Sequence, residues 1–259
     1  MATLEANGKS FDYQQEGRGR HLLLLHSLLT DRGSFAPIVP ALARNLRITL
    51  LSLPGFGQSS PVAGSIEDRA DRMADFIGAL APGTAVDVLG NGFGGFIATA
   101  LAARHPDRVG RLVLADTGAA FSEEGRAPFR AMAAAVRKSG MEAILEAAVR
   151  RIFPENYLAA HPQAAEERKA ALRKADPVQF AAACDALAAV DLRPALGRIK
   201  SPTLVVVGER DEATPPALSR ALAAGIHEAR LVEIPGCGHC PPLQQPAQFL
   251  QVIEPFLES

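Results

Sequence analysis

The chain contains no tryptophan, two tyrosines and three cysteines among its 259 residues. An odd and small number of thiols does not build a disulfide framework. Neither sign of charge prevails: Lys and Arg number 27 against 28 Asp and Glu, a formal net charge of −1. That balance gives no electrostatic footing for nucleic acid or an anionic membrane surface. Long apolar runs are lacking as well. The early run Leu22–Leu25 falls far short of the roughly 20 residues that span a bilayer as a helix. The opening residues also lack the basic-then-apolar pattern of a secretory leader. These absences predict a cytoplasmic protein with neither nucleic acid nor membrane among its partners; they set no oligomeric state.

What is present suits one large domain, or a core with an insertion: 48% of residues are apolar and 21% charged. Residues 2–6 and 10–15 read as two strands joined by the turn dipeptide Asn7-Gly8. Short apolar runs follow at Leu22–Leu25, Ile48–Leu51, Val86–Leu89, Leu112–Leu114, Leu204–Val207 and Leu231–Ile234. Continuous rather than alternating apolar residues predict strands buried on both faces of a mostly parallel sheet. Helical stretches at Ile38–Arg44, Ile66–Leu80 and Phe93–Arg104 alternate with them. The expectation is an α/β fold, an eight-stranded sheet opened by an antiparallel pair and flanked by helices.

From about residue 121 to 198 the pattern changes. This part is rich in Ala, Glu and Arg, has no strand-like run, and carries helical patterns at Pro128–Arg137, Met141–Arg151, Glu166–Lys174 and Pro177–Ala189. It predicts an all-helical cap, 121–198, inserted between core segments 1–120 and 199–259.

Five local motifs carry chemistry. The run Leu22 to Leu29 ends a strand in His26-Ser27-Leu28-Leu29, and Leu53-Pro54-Gly55-Phe56-Gly57-Gln58-Ser59 makes a Gly-rich turn. Val86 to Gly95 joins a strand to a helix through Gly90-Asn91-Gly92-Phe93-Gly94-Gly95. Asp211 follows the strand Leu204–Val207, and His239 lies in Pro235-Gly236-Cys237-Gly238-His239-Cys240. Two other readings compete. Gly90, Gly92 and Gly95 fit a dinucleotide fingerprint, with Asp116 as its acid, but that fingerprint usually opens its fold, whereas several strands precede this one. Cys237-Gly238-His239-Cys240 spells a redox C-x-x-C, but Pro241-Pro242 follows where a redox motif opens a helix.

Together the motifs resemble the α/β-hydrolase family over nearly the whole chain. Within it they are similar to 3-oxoadipate enol-lactonases, carboxylesterases and the C–C bond hydrolases of aromatic degradation. The resemblance implies a cofactor-free hydrolase acting on a small ester, lactone or related carbonyl substrate. Its triad would comprise a nucleophile at the elbow, Asp211 as acid and His239 as base, in the chain order of the family. Asp116 is the alternative acid, and the backbone N–H groups of Leu28 and Phe93 would form the oxyanion hole. Three positions depart from the family. Ser27 stands in the usual glycine place after His26, and Gly92 stands where the nucleophile belongs. Ser52 also replaces the aspartate that opens the family's D-x-P-G-F-G-x-S turn.

Glycine offers no nucleophilic atom, so the acyl-enzyme route through position 92 is closed. One explanation is a serine replaced by glycine, which disables turnover. A second is water activated directly by His239 and Asp211. A non-catalytic ligand-binding protein on a hydrolase fold is the alternative function. Asn91 and Ser27 are the other candidate nucleophiles, though neither occupies the apex of the elbow. Haloalkane dehalogenases and epoxide hydrolases place aspartate at the elbow, so Gly92 gives those chemistries no support. Arg137, Arg150, Arg151 and Arg173 are candidates to hold a substrate carboxylate, although arginines at helical spacing more often form a solvated face.

Overall fold

A computed structural model describes residues 2–258. Met1 and Ser259, the outer limits of the two core segments, lie outside it. The strands are β1 (Ala2–Ala6), β2 (Lys9–Glu16), β3 (Arg20–Leu25), β4 (Leu46–Leu51), β5 (Val86–Asn91), β6 (Val109–Ala115), β7 (Thr203–Gly208) and β8 (Arg230–Ile234). They form one eight-stranded sheet in the order β1-β2-β4-β3-β5-β6-β7-β8. β2 pairs antiparallel with both β1 and β4, and every pairing from β4 to β8 is parallel.

The continuous apolar runs have the predicted cause. Every residue of β5 and β7 is buried, as are the four leucines of β3. Side chains alternate across a strand, so Leu23, Leu25, Val88, Leu114 and Val205 pack on one face. Leu22, Leu24, Leu89, Val113 and Val206 pack on the other.

Helices flank the sheet on both faces, and others pack on one another beyond it. They are α1 (Val39–Leu42), α2 (Ile66–Leu80), α3 (Phe93–Arg104), α4 (Glu123–Ser139), α5 (Leu145–Ile152), α6 (Glu155–Ala160), α7 (Pro162–Leu172), α8 (Pro177–Ala189), α9 (Pro216–Gly225), α10 (Pro241–Gln244) and α11 (Pro246–Glu258). Residues Phe93 to Ala103 of α3 are all buried, which suits its lack of a polar face. α2 starts at a capping box, with Ser65 and Asp68 exchanging side-chain and backbone hydrogen bonds.

Boundaries in the helical stretch differ from expectation. α4 begins at Glu123, five residues before Pro128, because Ser122 caps it by accepting from the N–H of Gly125. The run expected at 141–151 divides into a 3-10 turn at Met141–Ile144 and α5. α7 starts at Pro162, whose ring fixes φ for a first helical residue. Among the described residues no helix is long and apolar enough to cross a membrane.

Candidate active site

The parallel strands deliver the chemistry-bearing residues to one edge of the sheet. β5 runs into α3 through Gly92, whose φ of +52° and ψ of −115° form a turn that side chains rarely adopt. The chain packs tightly there: a Cβ on Gly94 would lie 2.1 Å from the carbonyl oxygen of Leu25. The Gly92 N–H donates to the Ala115 carbonyl, and the Gly92 carbonyl accepts from the N–H groups of Gly95 and Phe96.

His239, on the loop after β8, is buried against this turn. Its Nδ1 is 3.0 Å from Asp211 Oδ2 and 3.1 Å from Oδ1, so Nδ1 carries the proton toward the carboxylate. Asp211 follows β7. Its Oδ1 accepts from the N–H groups of Ala213 (2.8 Å) and Thr214 (3.0 Å), and the Thr214 hydroxyl lies 2.6 Å from Oδ2. Burial alone would raise the Asp211 pKa, but the adjacent His239 and the bonds from Thr214 hold it below the usual carboxylate value.

Asp116, the alternative acid, is fully buried after β6, and its Oδ1 accepts from the N–H of Gly208 at 2.8 Å. Burial first, then the charge of Asp211, pushes its pKa well above the ordinary value. Asp211, not Asp116, meets the imidazole. Asn91 ties the two loops together, with its Nδ2 donating to the His239 carbonyl at 3.2 Å. On the far side, the His239 N–H donates to the carbonyl of Ile152, the last residue of α5, at 3.0 Å.

The other ring nitrogen of His239 has a partner that local motifs did not reveal. Ser27 Oγ lies 3.0 Å from His239 Nε2. Nδ1 carries the imidazole proton, so the Ser27 hydroxyl donates to Nε2. Ser27 itself is held by its neighbour. The N–H of Leu53 donates to His26 Nε2 at 3.2 Å, which leaves Nδ1 to donate to the Ser27 carbonyl at 2.8 Å. His26 is therefore a neutral structural bridge between the two loops, and burial keeps its pKa below the ordinary imidazole value. The backbone N–H groups of Leu28 and Phe93, at this same edge, have no acceptor among the described residues.

A second group was missed at the Gly-rich turn. Ser52 replaces the expected aspartate, but Asp12 of β2 brings a carboxylate to the same place. Its Oδ2 accepts from Ser52 Oγ at 3.0 Å, and its Oδ1 from Arg32 at 2.7 Å. The register of β2 against β4 sets this meeting, so a reading of the turn alone does not find it.

Ser27, Gly92, Phe93, Thr214 and His239 line a cavity of about 20 Å³, together with Phe121, Phe129, Arg151 and Leu187 from the 121–198 stretch. That is room for about one water molecule. The candidate arginines separate here. Arg137 pairs with Asp185 and Arg173 with Glu142, whereas Arg150 is exposed. Arg151 enters the cavity wall, with its guanidinium 5.9 Å from the Phe129 ring centre and no carboxylate within ion-pair distance among the described residues. Cys184, Cys237 and Cys240 are buried and free. Burial pushes the Cys240 thiol up to about 12 and raises Cys237 as well, the opposite of a redox-active thiolate.

The family profile described as alpha/beta hydrolase fold matches residues 20–246. The chain belongs to the α/β-hydrolase family. Among its α/β-hydrolase relatives is a pimeloyl-[acyl-carrier protein] methyl ester esterase of Aeromonas hydrophila, 31% identical over 96% of this chain and 99% of that protein. The crystal structure of an enol-lactonase from Burkholderia xenovorans LB400 superimposes with a TM-score of 0.92 at 30% identity, covering 100% of both chains. A malate-bound thermophilic esterase from Thermogutta terrifontis gives 0.89 at 31% identity, over 99% of this chain and 96% of that one. The fold and the ester- and lactone-hydrolase character of the α/β-hydrolase family thus agree with the resemblance read from the motifs.

Proposed function

We propose that the chain is an active hydrolase of small esters or lactones that carry a carboxylate, with His239 as general base and Asp211 as its orienting acid. The supporting observation is the buried pair itself: Nδ1 of His239 sits 3.0 Å from Asp211 Oδ2, while Nε2 faces the cavity at Gly92. An imidazole held in this tautomer presents a basic nitrogen to a reacting hydroxyl or water.

In this mechanism an oxygen nucleophile attacks the carbonyl carbon and passes its proton to His239 Nε2. The N–H groups of Leu28 and Phe93 stabilise the oxyanion. Collapse of the tetrahedral intermediate expels the alcohol oxygen, which takes the proton back from the imidazolium. An ester yields an acid and an alcohol, and a lactone yields a hydroxy acid. The cycle consumes only water and requires no cofactor. Residues 121–198 act as the cap, and Arg151, which donates to the Ala213 carbonyl and pairs with no carboxylate among the described residues, would hold the substrate carboxylate.

The test is hydrolysis of a panel of activated short-chain esters by the full chain and by His239→Ala and Asp211→Asn. Turnover above the buffer rate is expected, with losses of about 1,000-fold or more in both variants. Absence of turnover across the panel overturns the proposal. Ligand affinity that His239→Ala leaves unchanged would then favour a non-catalytic binding protein.

A further inference from the structure

We infer that Ser27 is the nucleophile, moved from the elbow to the loop after β3, an inference that rests on His239 being the base. Ser27 Oγ, His239 Nε2 and Asp211 Oδ2 are linked by contacts of 3.0 Å and 3.0 Å, a continuous hydroxyl–imidazole–carboxylate relay. This is the arrangement that activates a serine hydroxyl.

Gly92 makes the arrangement possible. A Cβ at position 92 would stand 2.5 Å from Ser27 Oγ and 2.7 Å from His239 Nε2. The Ser27 hydroxyl therefore fills the space that an elbow side chain would enter. Two departures from the family pattern become one: the glycine expected at 27 and the nucleophile expected at 92 have exchanged places. A single disabling replacement of serine by glycine accounts for position 92 alone and leaves Ser27 unexplained.

The backbone around Ser27 supports the role. Its carbonyl accepts from His26 Nδ1 at 2.8 Å and from the N–H of Thr30 at 3.2 Å, which fixes the loop before any substrate arrives. Leu28 follows Ser27 as Phe93 follows position 92, so each of the two loops carries a free N–H immediately after its apex. Phe93 remains available as the second oxyanion donor.

The chemical step balances without any co-reactant but water. Ser27 Oγ forms a bond to the carbonyl carbon as its proton moves to His239 Nε2. The C–O bond to the leaving alcohol breaks, and that oxygen takes the proton. Water then attacks the acyl-Ser27 ester with His239 again as base, releasing the acid and restoring the hydroxyl.

A fluorophosphonate probe applied to the intact chain tests this, because the attacking oxygen forms a P–O bond and expels fluoride. The expected result is one adduct, mapped to the peptide containing Ser27, and no adduct in Ser27→Ala. Ester turnover in Ser27→Ala should fall by about 1,000-fold or more with the melting temperature little changed. The double variant Ser27→Gly/Gly92→Ser should regain turnover over Ser27→Gly, with the adduct now at position 92. His239-dependent turnover that survives Ser27→Ala overturns the inference and leaves water as the nucleophile with the His239 reading intact. If the unaltered chain turns over no ester in the panel, the His239 reading fails, and this inference falls with it.

Discussion

A Cβ on Gly92 would lie 2.5 Å from Ser27 Oγ, well inside van der Waals contact. The two positions compete for one volume in front of His239 Nε2, and the serine holds it. Gly92→Ala should therefore be costly, although it adds one methyl group. It strains a residue at φ +52° and forces Ser27 away from the imidazole. The strain corresponds to roughly 1–3 kcal/mol, or a melting temperature lower by several degrees in a chain of this size. Turnover should drop at least about tenfold. A variant as stable and as active as the parent would refute the competition.

Asp116→Asn should behave unlike Asp211→Asn. Burial and the charge of Asp211 push the Asp116 pKa well above 3.8, so the folded chain holds this proton where the unfolded chain releases it. The stability associated with that proton is fullest below the unfolded value and is lost as pH rises through the folded value. An amide escapes the loss. The melting temperature of Asp116→Asn relative to the parent should rise steadily with pH, and turnover should stay within about tenfold, against about 10,000-fold for Asp211→Asn. A relative melting temperature that falls with pH contradicts the assignment.

His26 carries the opposite sign. Its pKa lies below the ordinary 6.5 because burial disfavours the charged ring. Its stabilisation is complete above about pH 6.5 and is lost as pH falls through the folded value. His26→Gln should be less stable at about pH 7.5, and the gap to the parent should narrow toward about pH 5. Thermal melts of both proteins across that range measure the gap. A constant gap would show that His26 does not titrate as described.

Arg151→Gln should separate substrates by charge. A charge-assisted hydrogen bond is worth about 1.5–3 kcal/mol, so kcat/KM for esters bearing a carboxylate should fall roughly 10- to 100-fold. Neutral esters of the same size should change little. Equal losses for both kinds of ester would assign Arg151 a packing role against Phe129 instead.

The sheet was legible because strands buried on both faces must be written as unbroken apolar runs, and Leu22–Leu25 and Leu204–Val207 are such runs. α2 and α3 were legible from end to end for a related reason: Ser65 and the glycines of the elbow punctuate their starts. α4 was misjudged because Pro128 looked like a beginning, when the cap at Ser122 had already started the helix. At the site, Asp211 and His239 stand in loops with strong local patterns. Their proximity in space follows from β7 and β8 being neighbours. The contact between Ser27 and His239 has no such local sign. It joins residues 212 positions apart, and it exists only because position 92 is empty. The same holds for Asp12 and Ser52, which meet through the register of β2 against β4.

The hydrogen bond from the His239 N–H to the Ile152 carbonyl has a mechanical meaning. The cavity at Gly92 is narrow, and Phe129, Arg151 and Leu187 form its helical side. Any motion that carries the end of α5 outward either drags the histidine loop with it or breaks that bond. Movement of that wall and alignment of the imidazole are thus two readings of one lever, and at rest both are held by the same bolt.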